Sequence, residues 1–293
     1  MVMSVIMFDT VADLGPDDKA LLTQDRLATV LYADDTRLIG PSEGSLKRLL
    51  SLVAARGSAY GLELHWDKFL LLNIRSDFTF EAASGAPMLD SGSLIYLGAS
   101  LNSDGKVRGE LGRRIGRAWG EFSKLVRLWQ QTSLSVKRKT EIFQAVVTTQ
   151  LLYGLSTVCL SVAELRRLNG FQARCLRVLL RIQPAFVSRV SNQLVLERAS
   201  QLPYTKQLMK QQLNLFGRVV RAPDTDVLRR LTFTSGTLQP AANRFIRRVG
   251  RPRHEWTSML KKAALGVAGS EAELTHLIAQ PLAWKKAVDT YCR

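Results

Sequence analysis

The sequence predicts an α+β fold, in which a short antiparallel sheet with helices is followed by a region that is all-α. Two observations predict this class. Near the N-terminus, β-branched and apolar residues flank a pair of aspartates, a pattern typical of two strands joined by a tight turn. Beyond Gly105, apolar residues recur with the period of an α-helix almost to the C-terminus. We therefore expect a domain boundary at Gly105.

The strand–turn–strand segment consists of residues 26–30, the string Leu31-Tyr32-Ala33-Asp34-Asp35, and residues 36–40. Like charges this close repel each other, and partial burial raises the cost of keeping both carboxylates ionised. A divalent cation removes that difficulty, and a carboxylate-rich site suits Mg²⁺. A pair of such ions is the usual device for nucleotidyl transfer. The alternative is an ordinary turn, because Asp is common in turns.

The remaining elements of the first part follow from local patterns. Residues 1–13 predict a helix with Val2, Ile6 and Val11 on one face. A turn follows, and we interpret its Asp17-Asp18 pair as solvated. The next predicted elements are a helix over 45–59, strands over 69–74, 78–80 and 87–89, a strand beginning at Ile95, and a turn over 103–106.

The second part predicts a series of amphipathic helices over residues 109–130, 136–153, 161–182, 191–200 and 204–221, with shorter helices beginning at Ser270 and Pro281. Ser161 and Glu164 have the spacing of a capping box, which marks a helix start. Basic residues occupy the arcs that the apolar stripes leave free.

Charge is distributed unevenly along the 293 residues, although the whole chain carries +16. Residues 1–100 hold 8 Lys and Arg against 13 Asp and Glu, whereas residues 101–293 hold 33 against 12. This asymmetry favours a polyanionic partner such as nucleic acid. Solubility alone is the alternative, and a membrane surface is a weaker rival because the basic residues are spread over many helices.

The cysteines and the N-terminus bear on the compartment. Three scattered cysteines provide neither a disulfide framework nor a CxxC zinc pattern, which favours a reducing environment. The apolar start of the chain lacks the basic leader of a secretory signal, and Asp9 and Asp13 follow it directly. We therefore expect an intracellular protein, in the nucleus or cytoplasm, that is not secreted and not membrane-bound.

The Tyr-Ala-Asp-Asp string in this setting resembles the catalytic hairpin of reverse transcriptases, and its surroundings are most similar to the non-LTR, LINE-type retrotransposon branch. Further segments that resemble this family occur in order, namely Tyr96-Leu97-Gly98, Leu151-Leu152-Tyr153-Gly154, residues 171–177, residues 217–221 and residues 250–256. The resemblance covers nearly the whole chain. It implies a partial polymerase palm over 1–105, a thumb-like helical region over 106–185 and a basic helical C-terminal region over 186–293.

The resemblance also implies roles for individual residues. Asp34 and Asp35 would be catalytic and would bind Mg²⁺ or Mn²⁺. Lys68 matches a lysine near the incoming nucleotide, where it would act as a general acid or as a counter-charge for phosphate. The alternative is an ordinary exposed lysine. Tyr96, Leu97 and Gly98 are similar to the primer grip, so the implied partners are an RNA template, a DNA primer and deoxynucleoside triphosphates.

The basic helices would hold the template–primer backbone by neutralising phosphates, which gives position and not sequence specificity. The candidates are Arg113, Arg114, Arg117, Lys124, Arg174, Arg177, Arg181, Arg247, Arg248, Arg251 and Arg253. The last four form the densest cluster, which could equally be a nuclear-targeting patch.

The sequence departs from the family pattern upstream of Asp34. The family places a third metal-binding aspartate on an earlier palm strand, and neither Asp9 nor Asp13 matches that strand. Two carboxylates without the third should hold metal ions poorly. We therefore expect a portion of a LINE-type RNA-directed DNA polymerase that is inactive alone. The alternative is a non-catalytic basic protein that binds nucleic acid.

Overall fold

The computed structural model describes residues 2–24, 26–33, 35–81, 87–104, 108–241 and 255–293. The chain divides into two compact units, Met1–Lys106 and Val107–Arg293. The predicted α+β class is confirmed, because helices and short antiparallel sheets both occur. The further division of the helical region at residue 185 stays a prediction. None of the described helices combines the length with the apolar character that a membrane-spanning helix requires.

In its described residues, the first unit combines three α-helices with three two-stranded antiparallel sheets. Its elements are α1 (Val2–Asp13), α2 (Pro16–Thr23), β1 (Ala28–Tyr32), β2 (Asp35–Ile39), α3 (Glu43–Ala59), β3 (Phe80–Glu81), β4 (Pro87–Met88), β5 (Ser93–Tyr96) and β6 (Ala99–Asn102). Each strand pairs with its neighbour in sequence, β1 with β2, β3 with β4 and β5 with β6. A small core of Met7, Leu14, Leu27, Leu49 and Val53 lies under the first hairpin.

Polar contacts join α1 and α2 to α3. Asp13 pairs with Arg56, and the Tyr60 hydroxyl donates to Asp9 Oδ2 at 2.8 Å. Asp18 is buried and accepts two hydrogen bonds from Arg48, at 2.6 and 2.8 Å. The hydrogen bond from Arg48 is the main reason why the pKa of Asp18 lies below its usual value.

Three expectations for the first unit were wrong. Asp18 is not solvated, because it is buried in the first turn of α2 and pairs with Arg48, whereas Asp17 in the same turn is exposed as predicted. The buried face of α1 carries Ile6, Met7 and Thr10, whereas Val2 is exposed. Residues 69–74 do not form a strand, and only an isolated parallel bridge joins Leu71 to Asp90.

The second unit is built from helices. They are α4 (Arg108–Lys124), α5 (Val126–Gln130), α6 (Val136–Phe143), α7 (Thr149–Leu152), α8 (Val162–Leu180), α9 (Ala185–Ser188), α10 (Asn192–Arg198), α11 (Tyr204–Arg221), α12 (Val227–Thr232), α13 (Trp256–Ala268), α14 (Glu271–Ala279) and α15 (Pro281–Tyr291). A π-helical segment, Gln144–Thr148, joins α6 to α7. The predicted capping box of Ser161 and Glu164 is confirmed at the start of α8.

The described residues of this unit form two hydrophobic cores, and α11 contributes to both. Its first half places Tyr204 and Leu208 in a core that α4 to α8 share, around Trp129 and Phe143. Its second half places residues such as Phe216 in a core with α13 to α15. Because one long amphipathic helix crosses both cores, it fixes the helices before it against those after it.

Side chains of α8 form hydrogen bonds with the backbone at the start of α11. That helix follows a proline and has no capping side chain of its own. The buried Gln172 accepts from the Tyr204 amide at 2.7 Å and donates to the Leu202 carbonyl at 2.8 Å. Asn169 accepts from the Thr205 amide at 3.0 Å. These contacts occupy amides that a helix start leaves without partners.

Candidate functional site

The first hairpin presents the candidate carboxylates. Strands β1 and β2 pair in register from Ala28 opposite Ile39 to Tyr32 opposite Asp35, which leaves a two-residue turn. Ala33, the first turn residue, has a φ of 53°, as short hairpin turns favour. Asp35 is exposed as the first residue of β2, and Asp34 lies outside the described residues.

The two faces of this hairpin differ. Leu31 and Leu38 pack against the small core of the first unit. On the opposite face, Asp35 and Arg37 lie two residues apart, so their side chains share that face. The hairpin therefore packs the leucines of one face against the core, and its other face carries an acidic and a basic side chain, Asp35 and Arg37.

Tyr96, a predicted primer-grip residue, contacts that second face. Its hydroxyl donates to the Val30 carbonyl oxygen at 3.3 Å, and the Arg37 guanidinium lies 3.9 Å from the centre of its ring. Burial lowers the pKa of Arg37, and its Nη2 is buried with no hydrogen-bond partner among the described residues. The sequence reasoning missed Arg37, although the two-residue period of β2 places it on the same face as Asp35.

The other residues to which the resemblance assigns a polymerase role lie in a hairpin turn and in a short 3₁₀ turn. Leu97 and Gly98 form the two-residue turn between β5 and β6, with φ values of 47° and 77°. Lys68 ends a short 3₁₀ turn, Trp66–Lys68, and is exposed. Nothing in the described residues joins the Lys68 ammonium to the hairpin by a hydrogen bond or ion pair.

The carboxylates of the first unit bear on metal binding. No group of three or more His, Cys, Asp or Glu side chains could hold a metal ion in the part of the chain that the structure describes, which omits Asp34. Asp35 is an exposed oxygen donor of the kind that Mg²⁺ prefers. Because Mg²⁺ is commonly bound by one or two carboxylates plus substrate phosphates, the chemistry of Asp34 and Asp35 fits that mode.

Among the candidate arginines of the second unit that the structure describes, Arg114 and Arg177 are buried. Arg114 is 2% exposed, its Nε donates to Glu110 at 2.6 Å, and its guanidinium lies 4.9 Å from the centre of the Tyr153 ring. Arg177 donates to the Val190 carbonyl at 2.6 Å and to Asn192 Oδ1 at 3.0 Å. Both side chains therefore hold the fold together.

Other candidates lie at the surface. Arg113 forms an ion pair with Glu110, and Lys124 forms one with Glu121, each with a residue three positions earlier on α4. Arg117 is exposed. The Arg174 guanidinium lies 4.7 Å from the centre of the Trp119 ring, and Arg181 donates to the Gln130 carbonyl oxygen. Arg247, Arg248, Arg251 and Arg253 lie outside the described residues.

These features define an α+β protein with an acidic hairpin in one unit and a basic helical second unit. No protein-family model matches the chain, and no solved structure matches it. The chain is 28% identical over 136 residues to a Caenorhabditis elegans protein described as a "putative uncharacterized transposon-derived protein". The match covers 44% of this chain and 47% of that protein, so the chain spans about half the length of the curated relative it matches. This similarity supports a transposon-related origin.

Proposed function

We propose that this chain carries the catalytic hairpin and the following helices of a LINE-type reverse transcriptase, a Mg²⁺-dependent RNA-directed DNA polymerase. One observation carries the proposal. Tyr32, Ala33 and Asp35 of the Tyr-Ala-Asp-Asp string lie at the tip of a β-hairpin, with the Asp35 side chain exposed and the hairpin's other face packed on a core. The similarity to a transposon-derived protein supports the same origin.

The hairpin's residues have distinct tasks under this proposal. Asp34 and Asp35 would hold Mg²⁺ or Mn²⁺, which supplies charge stabilisation to a phosphoryl group when it is bound. Arg37, fixed against Tyr96, keeps a cation on the Asp35 face that suits a phosphate of the nucleotide or primer. Lys68 is the proposed counter-charge or proton donor for the leaving pyrophosphate.

Primer extension tests this function. The protein is incubated with an RNA homopolymer template, a complementary DNA primer and the matching deoxynucleoside triphosphate, with Mg²⁺ or Mn²⁺. Incorporation that Asp34→Ala or Asp35→Ala abolishes, and that Asp77→Ala at another exposed aspartate of the same unit leaves unchanged, would support the catalytic proposal and would show that the chain acts without a third metal-binding aspartate. Absence of incorporation with either metal would overturn the catalytic proposal.

The charge distribution favours a second candidate function, a non-catalytic protein that binds nucleic acid. Residues 101–293 carry 33 Lys and Arg against 12 Asp and Glu. Binding through phosphates weakens steeply as salt rises. Tight, salt-dependent binding without incorporation would support this second function. Binding that is weak and insensitive to salt would count against both.

A further inference from the structure

A cleft of about 870 Å³ lies at the surface of the second unit. One wall is formed by α6, the π-helical segment and the first residue of α7, and the other wall by the connection from α10 to α11. We call it the α6 cleft. Its volume is within the usual range of ligand-binding clefts. The polar side chains that line it include Lys137, Glu141, Gln144, Arg198, Ser200 and Gln201.

Both walls of the α6 cleft are fixed from behind. Thr148 of the π-helical segment shares a 2.8 Å hydrogen bond with the hydroxyl of Tyr204, at the start of α11. In the connection from α10 to α11, the Leu202 carbonyl accepts from Gln172 of α8 at 2.8 Å. A binding site whose walls are already positioned loses less conformational entropy when a ligand binds.

Two irregular backbone features border the cleft. A π-helical stretch such as Gln144–Thr148 is rare in proteins and frequently lies at a functional site. Ser200, just beyond the end of α10, has a φ of 52°, a conformation that favours glycine after a helix. Serine at this position adds a hydroxyl group to the lining of the cleft, although glycine would suit the backbone better.

The side chains across the cleft provide both hydrogen-bond donors and acceptors. Gln144 donates to Gln201 Oε1, and Gln201 donates to the Ser200 carbonyl at 3.2 Å. A glutamine amide has two donor hydrogens and an acceptor oxygen, so these contacts leave groups available to a ligand. An extended peptide presents the matching groups, because each of its residues carries one N–H and one carbonyl.

The charges of the cleft favour an acidic ligand. Lys137 and Arg198 are exposed and lie on opposite walls. The carboxylate of Glu141 forms an ion pair with Arg138 at 3.0 Å, which offsets its negative charge. The two exposed cations therefore dominate the charge that a ligand meets.

We infer that the α6 cleft binds an extended acidic peptide segment of a partner protein. None of the described residues that line the cleft is aromatic, so it lacks the rings on which single-stranded nucleic acids stack their bases. The helical wall runs from Val136 to Thr149, about 20 Å, which is the length of roughly six extended residues. This inference is independent of the polymerase proposal, because it concerns a protein ligand and no catalytic group.

The first experiment measures peptide binding to the whole chain by fluorescence anisotropy. The probes are labelled hexapeptide mixtures with Glu at alternate positions and random residues between, and matched mixtures with Lys in place of Glu. We expect the Glu mixture to bind and the Lys mixture not to bind. In K137E/R198E, which reverses both cations of the cleft, affinity for the Glu mixture should fall about tenfold or more.

The matched control is R218E/K262E. It makes the same change in net charge at exposed residues of α11 and α13, outside the cleft. We expect this variant to bind the Glu mixture like the natural chain. Thermal unfolding of both double variants, measured alongside, separates a loss of binding from a loss of folding.

The second experiment replaces Ser200 by glycine. The substitution removes the hydroxyl and relieves the left-handed backbone strain, so the unfolding temperature should be unchanged or higher. Affinity for the Glu mixture should nevertheless fall severalfold, because a hydrogen-bonding group of the cleft is lost. Arg189→Gly, at an exposed residue with a φ of 56° outside the cleft, is the control and should keep the natural affinity.

Several results would overturn the assignment of the α6 cleft. They are no binding of the Glu mixture up to about 1 mM, equal binding by K137E/R198E, and preference for the Lys mixture. Displacement of the bound peptide by a short single-stranded oligonucleotide at lower concentration would instead assign the cleft to nucleic acid. None of these results changes the outcome of primer extension, so failure of this inference is distinguishable from failure of the proposed function.

Discussion

Trp284 of α15 lies directly over Gly217 of α11, and its indole Nε1 donates to the Leu213 carbonyl oxygen at 3.1 Å. A Cβ on Gly217 would lie 2.7 Å from Trp284 Cδ1 and closer still to Nε1. Trp284 is 1% exposed in the core formed by α11 and α13 to α15. Glycine at 217 therefore lets two helices approach closely enough to bury a tryptophan.

Gly217→Ala should destabilise the protein, although alanine usually strengthens a helix. Overpacking a well-filled core costs about 1–3 kcal/mol, which exceeds the gain of about 1 kcal/mol from helix propensity. The free energy of unfolding, measured by denaturant titration, checks this. Gly170→Ala in α8 is the matched control, since its methyl group would meet nothing within 4 Å, and it should be neutral or stabilising. Equal stability of both variants would contradict the packing argument.

The Asp18–Arg48 pair should make the first unit sensitive to acid. Arg48 lowers the pKa of Asp18, so the folded state favours the ionised carboxylate. The stabilisation is present above the usual Asp pKa of about 3.9 and is lost as pH falls from there through the lower folded value. Asp18→Asn should flatten this part of the curve of unfolding free energy against pH.

Asp17→Asn is the control for that measurement, because Asp17 is the exposed neighbour in the same helical turn. Arg48→Gln should destabilise the protein at neutral pH, since it leaves the buried Asp18 carboxylate without its charged partner. If Asp18→Asn kept the full acid dependence, the stabilisation would have to come from other groups.

Tyr96 should stabilise the first hairpin through its ring more than through its hydroxyl. Tyr96→Phe removes a 3.3 Å hydrogen bond and keeps the ring under Arg37, so it should cost about 0.5 kcal/mol. Tyr96→Ala also removes the cation–π contact, which adds about 0.5–1 kcal/mol. Hydrogen exchange of the β1 and β2 amides would show the difference. Equal exchange in both variants would mean that Arg37 does not need the ring.

Periodicity predicted the long helices well. The stripe of Leu111, Ala118, Phe122 and Trp129 is buried as expected, and α11 has the predicted bounds. The hairpin followed from two apolar runs around a short polar turn. Such elements depend on residues that are close together in the chain, so their pattern can be identified from the sequence alone.

Other features depended on contacts that local patterns do not contain. The start of α2 was interpreted as a turn, although Pro16 followed by Asp17 and Asp18 is also a helix-start signal. The structural role of Arg114 could have been predicted, because Glu110 precedes it by four residues and can pair with it on the same helix. Arg177 was not, since its partners lie in a loop whose path only the fold determines.

The buried lysine of α6, which contacts the end of α5, gives the last prediction. Lys139 is 5% exposed, and its Nζ donates to the Trp129 carbonyl at 2.8 Å while Arg181 donates to Gln130. Burial lowers the pKa of Lys139, and the nearby Arg181 lowers it further. The unfolded chain therefore binds the proton more tightly than the folded one. Stability should rise with pH from the folded pKa up to the ordinary lysine value of about 10.4.

Lys139→Met removes the pH dependence that Lys139 contributes. The free energy of unfolding of the natural chain should therefore increase relative to that of the variant as pH rises. Tyrosines and cysteines that titrate in the same range contribute equally to both proteins and cancel in that difference. Lys137→Met, at an exposed lysine of α6, is the control and should show no such shift. A difference that stays constant between pH 7 and about 10.5 would show that the folded state does not lower the lysine pKa.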